Sequence, residues 1–277
     1  MTTILSAQHP QRIVCLTEET TETLYLLGEQ DRIVGISGFT VRPPQARRDK
    51  PKVSAFLSAK TNKILDLKPD LVIGFSDLQA DIAAELVRQG LNVLIFNHRS
   101  VEEILHMILT LSSLIGVEER GRQLTDELSN GLHEIQQAAA MHKHRPTLFF
   151  EEWDDPLISG IQWVSELVRI AGADDSFPEL STQSLGKDRI IANPAEVISR
   201  NPDIIVGSWC GKKFRPEKVA AREGWHNIAA VRNDQLHEIK SVNILQPGPA
   251  ALTDGVKQLQ TIINAWHETD GSPPARG

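Results

Sequence analysis

Short apolar runs alternate with longer amphipathic stretches over most of this chain, a pattern that predicts strand followed by helix many times over. Arg12–Leu16 reads as a strand, and T-E-E-T-T-E-T-L-Y-L-L-G as the helix after it, with Thr17 or Thr20 placed to cap its start and Gly28 to end it. Arg32–Ser37 reads as a buried strand and Thr61–Leu67 as a helix stopped by Pro69-Asp70. Leu71–Gly74 is a strand, Asp81–Gln89 a helix closed by Gly90, and Leu91–Phe96 a further strand. Ser100, with Glu103 at the capping-box position, opens a helix to about Ile115. From Val117 to about His142 the pattern stays helical without a proline, which at 1.5 Å per residue predicts a strut of about 39 Å.

After Pro146 the unit restarts. Thr147–Phe150 reads as a strand, Val164–Ile170 as a helix ended by Gly172, and Asn193–Arg200 as a helix stopped by Pro202-Asp203. Ile204–Gly207 and Gln235–Ile239 read as strands, and Ala250–His267 as the closing helix. L-K-P-D-L-V-I-G in the first half matches R-N-P-D-I-I-V-G about 130 residues later, too far apart for a solenoid repeat and right for duplicated lobes. The expected fold is therefore α/β: two Rossmann-like lobes with mostly parallel sheets, joined by one long backbone helix. The boundaries fall at 1–116 for the first lobe, 117–144 for the interlobe helix, 145–268 for the second lobe and 269–277 for a flexible tail. Two like lobes on one strut predict a ligand cleft between them.

Composition narrows the partners. Across 277 residues the net charge is −7 with a pI near 5.7, which offers nucleic acid no basic surface. No apolar run approaches the roughly 18 residues of a membrane span. The start, M-T-T-I-L-S-A-Q-H-P, lacks the basic and apolar segments of a secretory signal, so the expected location is cytoplasmic, or periplasmic if a signal has been removed. Cys15 and Cys210 supply neither a disulfide framework nor a C-x-x-C knuckle. G-x-S-x-G, the P-loop and G-x-G-x-x-G do not occur.

In order and spacing, R-I-V-C-L-T-E-E-T-T-E-T-L-Y-L-L-G, D-R-I-V-G-I-S with R-P-P-Q-A, L-K-P-D-L-V-I-G-F and I-S-R-N-P-D-I-I-V-G resemble the substrate-binding proteins of vitamin B12 and ferric-siderophore importers, over about residues 10 to 265. E-E-W-D-D-P-L-I-S-G-I-Q-W-V-S-E-L, S-W-C-G and Q-P-G-P look like the branch described as cobalamin-binding proteins. The resemblance implies a glutamate on each lobe, seven residues before the proline of the P-D motif, that docks onto a membrane permease. Asn62 and Ala195 stand there instead, and Glu196 points about 100° away from Ala195 on a helix. Permease docking is thus doubtful by sequence.

A corrin is a mostly apolar disc with amide-bearing edges, so its site calls for aromatic faces and a few polar groups. Phe56 stands where, by resemblance, the B12 importers carry a stacking Trp; Phe75 follows the strand that ends at Gly74. For both, the alternative is a loop anchor over the core. Trp153 and Trp209 each follow a predicted strand and are expected at the cleft edge, with packing in the core as the alternative, whereas Trp163 and Trp225 are expected to pack. Cys210 is a candidate soft ligand or reactive thiol, against the commoner buried, inert cysteine. Arg42, before Pro43-Pro44, would reach an amide or phosphate edge, or else is a solvated loop residue. Gln246 in Q-P-G-P lies in a loop resembling the family's ligand-contacting loop.

Glu151, Glu152, Asp154 and Asp155 invite a metal or acid–base reading, but no His or Lys stands near them in sequence and a solvated acidic face is the expectation. His142 and His144 are expected to meet helix-terminal carbonyls. No catalytic residue, metal or required cofactor is expected. The first functional reading is non-catalytic binding of a corrinoid such as cobalamin without permease docking or membrane insertion. The alternatives are the binding component of an importer for cobalamin, a ferric siderophore or haem, and a chelatase-like enzyme using the acidic cluster or a histidine.

Overall fold

A computed structural model describes residues 8–269 and divides the chain into two compact units, the first up to His98 with Glu102–Glu127, the second Arg99–Val101 with Leu128 onward. The residues up to Ala7, and the expected tail beyond Thr269, lie outside the described residues. Both sheets are mostly parallel with helices among their strands, as the alternating pattern predicts.

The first unit contains β1 (Ile13–Cys15), α1 (Glu18–Leu26), β2 (Ile33–Ser37), α2 (Pro44–Asp49), β3 (Lys52–Ala55), β4 (Ser58–Ala59), α3 (Thr61–Asp66), β5 (Leu71–Phe75), α4 (Ala80–Arg88), β6 (Val93–Phe96) and most of α5 (Val101–Leu114). Its strand order is β4-β3-β2-β1-β5-β6, all parallel except the β3–β4 hairpin. Period-two alternation splits β1 between two cores. Ile13 and Cys15 pack with Leu24, Leu27, Leu111 and Ile115 on one face. Val14 and Leu16 pack with Ile64, Ile82 and Leu86 on the other. A sheet covered on both faces explains why its strands read as continuous apolar runs. The chain leaves β1 towards β2 and returns to β5 on β1's other side, so the carboxyl ends of β1 and β5 form the topological switch point where α/β sheets bind ligands.

Helix α6 (Glu118–Ala139) follows, and the boundary between the units falls within it. Its 22 residues span about 33 Å, shorter than the sequence pattern predicts because the chain turns at Ala140–Met141.

The second unit holds β7 (Thr147–Asp154), β8 (Leu157–Ser159), α7 (Gln162–Ala171), β9 (Asp174–Asp175), α8 (Pro178–Ser181), α9 (Ala195–Arg200), β10 (Ile204–Gly207), α10 (Pro216–Ala220), α11 (Ala229–Arg232), β11 (Leu236–Glu238), α12 (Ser241–Ile244) and α13 (Val256–Glu268). Its order is β11-β10-β7-β8, with β9 also paired to β7. Strand β7 runs four residues beyond the predicted Phe150 and turns back antiparallel through β8. The acidic run 151–155 hid that extension. At the two P-D motifs, Lys68 and Asn201 both take left-handed backbone with φ of 46°. The duplication thus extends to local geometry.

Candidate functional site

In the first unit the switch point is built by loops after β1, β2, β3 and β5. Gln79, fully buried, accepts the N–H of Phe75 at 3.0 Å and donates to the carbonyl of Phe56 at 2.9 Å. The β3–β4 turn that carries Phe56 is thereby fastened to the end of β5. Gly74 is required beneath it, since a Cβ there would fall 2.4 Å from Gln79 Oε1. Phe75 is buried with its ring 4.9 Å from that of His98, whereas Phe56 is half-buried. Around them Phe39, Leu57 and Leu78 stand 57%, 67% and 48% exposed.

Behind this rim lies a polar helix start that sequence reasoning did not single out. Every residue from Thr17 to Leu24 is buried, including Glu18, Glu19 and Glu22. Burial pushes the Glu18 carboxyl up to about 7. Burial likewise pushes Glu19 up to about 8, against the Thr17 hydroxyl that donates to it at 2.5 Å and with the help of Glu18's charge. Glu22 accepts from Arg42 Nε at 2.9 Å, so Arg42 is an ion-paired residue at a cis Arg42–Pro43 bond rather than a solvated loop arginine. The only sequence signal was the density of Thr and Glu directly after a buried strand.

In the second unit Glu151, Glu152 and Asp154 of the acidic run are paired with cations from distant segments, which corrects the expectation of a solvated face for these three, while Asp155 is exposed. Alternation along β7 sends Glu151 inward, fully buried, where Arg222 donates to both of its oxygens at 2.6 and 2.8 Å and the Trp209 indole donates at 2.9 Å. Burial pushes the Glu151 carboxyl up, against the pull of Arg222 and Trp209. Glu152 meets buried Arg189 at 2.5 and 2.9 Å, and Asp154 meets Lys212 at 2.6 and 2.7 Å. Lys212 also lies over the rings of Trp153 and Trp209, at 5.2 and 5.0 Å.

Trp153 lies within β7 instead of after it, half-buried, with its indole N–H on the Asp155 carbonyl at 2.8 Å. Trp209 does follow β10, but it is buried in the core beside Phe214, with ring centroids 5.0 Å apart. It therefore positions Glu151 and the loop after β10. Trp163 and Trp225 are buried packing residues; the Trp163 indole donates to the Ile244 carbonyl. Cys210 is exposed, while Cys15 is buried and its thiol is pushed up to about 12 by burial, which makes it unreactive. Gln246 is half-buried in the loop after α12, its carbonyl accepting from Gly248 at 2.8 Å. His142 does not sit on terminal carbonyls: it stacks on His267 at 3.8 Å and pairs with Asn264 at 3.2 Å. Phe56 and Phe75 are thus brought together in one unit, and Trp153 and Trp209 around Lys212 in the other.

Among the described residues no cluster of three or more His, Cys, Asp or Glu is placed to hold a metal ion, and no helix is long and apolar enough to cross a membrane. The chain is 25% identical over 265 residues to the uncharacterized ABC transporter substrate-binding lipoprotein YvrC of Bacillus subtilis, covering 92% of this chain and 81% of that protein. It is 24% identical over 259 residues to the vitamin B12-binding protein of Vibrio cholerae, covering 91% and 89%. Its fold is similar to that of S. aureus IsdE complexed with haem, with a TM-score of 0.77 at 20% identity over 93% of this chain and 99% of that one. The model of the family described as periplasmic binding protein matches residues 13–242, a span that takes in both P-D motifs, and the chain belongs to that family.

Proposed function

We propose that the chain is a non-catalytic binding protein for a flat metal chelate of the tetrapyrrole kind, with a corrinoid as its ligand. The observation that carries this reading is the apolar rim of the first unit. Phe39, Leu57 and Leu78 follow β2, β3 and β5, and the parallel direction of those strands puts all three at the carboxyl end of the sheet. Single exposed apolar residues need no explanation, but a group of them at a switch point offers a face to a disc-shaped ligand. Because each of these side chains is already about half covered, covering the rest contributes about 1–2 kcal/mol. Phe56 and Phe75 back the rim. In the second unit Trp153, Cys210 and Gln246 are the proposed contacts, with Trp209 holding them from behind. Arg42, ion-paired with Glu22, is the further proposed contact, for a ligand amide.

The relatives supply the class of ligand, vitamin B12 in the name of one and haem in the structure of another. Binding without catalysis is favoured by the pairing of Glu151, Glu152 and Asp154 with Arg222, Arg189 and Lys212, which leaves a chelatase-like reaction few free carboxylates. Binding without permease docking is favoured by exposed, uncharged Asn62 on α3 and Ala195 on α9. The second reading, an importer component for haem or an iron chelate, is supported by the likeness to haem-complexed IsdE.

Titration with hydroxocobalamin, followed by visible spectrum and thermal stability, tests the proposal. At 100 times the dissociation constant the bound ligand stabilises by about 2.7 kcal/mol. Spectral change and stabilisation with haemin alone would move the ligand to the second reading; neither with any of the chelates would sink both. Tight, specific binding to a B12 permease in vitro would overturn the non-docking part.

A further inference from the structure

A cavity of about 450 Å³ opens in the second unit where the loop after β10 passes over β11, at the edge of the sheet beyond Trp209. Its apolar lining is Phe214, Pro216 and Leu236, and its charged lining is Lys213, Arg215, Glu217 and Glu238. Phe214 is fixed: its ring is buried against Trp209 and lies so close over Gly207 that a Cβ there would fall 1.9 Å from it. The N–H of Phe214 donates to Glu238 at 3.1 Å, and Lys240 meets the same carboxylate at 2.6 Å. Burial would raise the Glu238 carboxyl, but the Lys240 and Phe214 hydrogen bonds and the charges of Lys240 and Lys213 hold it below its usual range. The floor acid is therefore already neutralised. Arg215 has only a loose partner, Glu217 at 3.7 Å, and Lys213 makes no ion pair among the described residues. Cationic groups with spare capacity thus stand beside apolar walls, in a cavity whose size suits a small-molecule moiety.

We propose that this cavity is an anion subsite that receives a carboxylate- or phosphate-bearing arm of the ligand, with Lys213 and Arg215 meeting the charge and Pro216 and Leu236 the apolar stem. The inference rests on the proposed function only for what the arm is attached to. Both cations are solvent-accessible, so each contact is worth a modest factor, about two- to fivefold in affinity, and weakens with salt.

One arm of the test is independent of the pigment. Phenyl phosphate carries a phosphate on an apolar ring, and it is expected to slow acylation of Lys213, followed by peptide mass spectrometry, while phenol does not. The second arm compares cobalamin, whose nucleotide loop holds a phosphodiester, with cobinamide, which lacks it, and haemin with its dimethyl ester. The wild-type chain should prefer the member that carries the phosphate or carboxylate, in whichever pair it binds, by about four- to 25-fold, the product of two such contacts, and K213Q/R215Q should erase that preference while still binding the member that lacks the group. A preference confined to one pair assigns the arm as phosphate or carboxylate. Absence of Lys213 protection overturns the subsite. So does a preference that is missing in the wild type or unchanged in K213Q/R215Q, with the functional reading left standing. Protection by phenyl phosphate without binding of any pigment supports the subsite and removes the functional reading instead.

Discussion

Asp203 accepts two hydrogen bonds from Thr147, one from its N–H and one from its hydroxyl, both at 2.9 Å, and so ties the start of β7 to the start of β10. Asp70 does the same work in the first unit, accepting the N–H groups of Gln11 and Arg12 at 2.7 and 2.9 Å ahead of β1. The aspartate of the P-D motif is thus the register pin of each sheet, and the proline before it ends the preceding helix. D203A leaves the part-buried Thr147 N–H without its acceptor and should cost about 1–3 kcal/mol, whereas D70A, whose exposed partners can turn to water, should cost about 0.5–1.5 kcal/mol. Because the two sites share no partner, the double variant should show the sum, measured by denaturant unfolding. A double variant no worse than the worse single would refute two independent pins.

Gln79 is the link between the two candidate phenylalanines. Q79L keeps the volume but orphans the N–H of Phe75 and the carbonyl of Phe56, groups that cost about 1–3 kcal/mol each when left buried and unpaired. The β3–β4 turn should loosen, seen as faster amide hydrogen exchange in residues 56–60, while exchange in β7 and β10 is unchanged. Ligand affinity should fall with it if Phe56 belongs to the site.

The parts of this fold governed by local chemistry were legible in the sequence. Gly28, Gly90 and Gly172 all take positive φ where helix ends were expected, and the two P-D motifs repeat one geometry. What stayed hidden depends on partners far apart in the chain. Nothing near residues 151–155 announces Arg222, Arg189 or Lys212, so a charged run that belongs to a strand reads as a loop. Likewise the pattern of polar residues in T-E-E-T-T-E-T does not reveal that all of them are covered. Of the site candidates, Phe56, read from the resemblance, and Phe75, expected just after β5 and found as its last residue, share one neighbourhood. Trp209 follows its strand as expected and takes the alternative of packing in the core, because a tryptophan after a strand packs inward as readily as outward.

The pair Glu151–Arg222 makes a sharper prediction, because removing one partner differs from removing both. R222M leaves a fully buried carboxylate with only the Trp209 indole, and should cost about 3–5 kcal/mol. E151Q/R222M should recover most of that loss, since neither variant side chain then carries an unpaired charge. Denaturant unfolding of the wild type, R222M and E151Q/R222M measures both the loss and the recovery. A double variant as unstable as R222M would show that the guanidinium acts by packing on Trp225, over which it lies at 4.4 Å.

Glu18 and Glu19 set the direction of pH dependence in the first unit. Their folded-state carboxyls sit at about 7 and about 8, above the ordinary value of 4.5, so between these limits the folded chain holds more protons than the unfolded one. Stability from these groups is fully present below about pH 4.5 and is lost as pH rises through 7 and 8. For Glu19, 1% exposed and with its second oxygen Oε2 buried without a hydrogen-bond partner among the described residues, the loss is on the order of a few kcal/mol. E19Q keeps the shape and the Thr17 hydrogen bond but has no proton to lose. It should match wild type near pH 5 and exceed it in Tm near pH 8.5, with the gap opening between pH 6 and 8. A wild-type Tm that rises across that window, or an E19Q variant that tracks it in parallel, would place the buried carboxyls in their charged form and remove this account of the helix start.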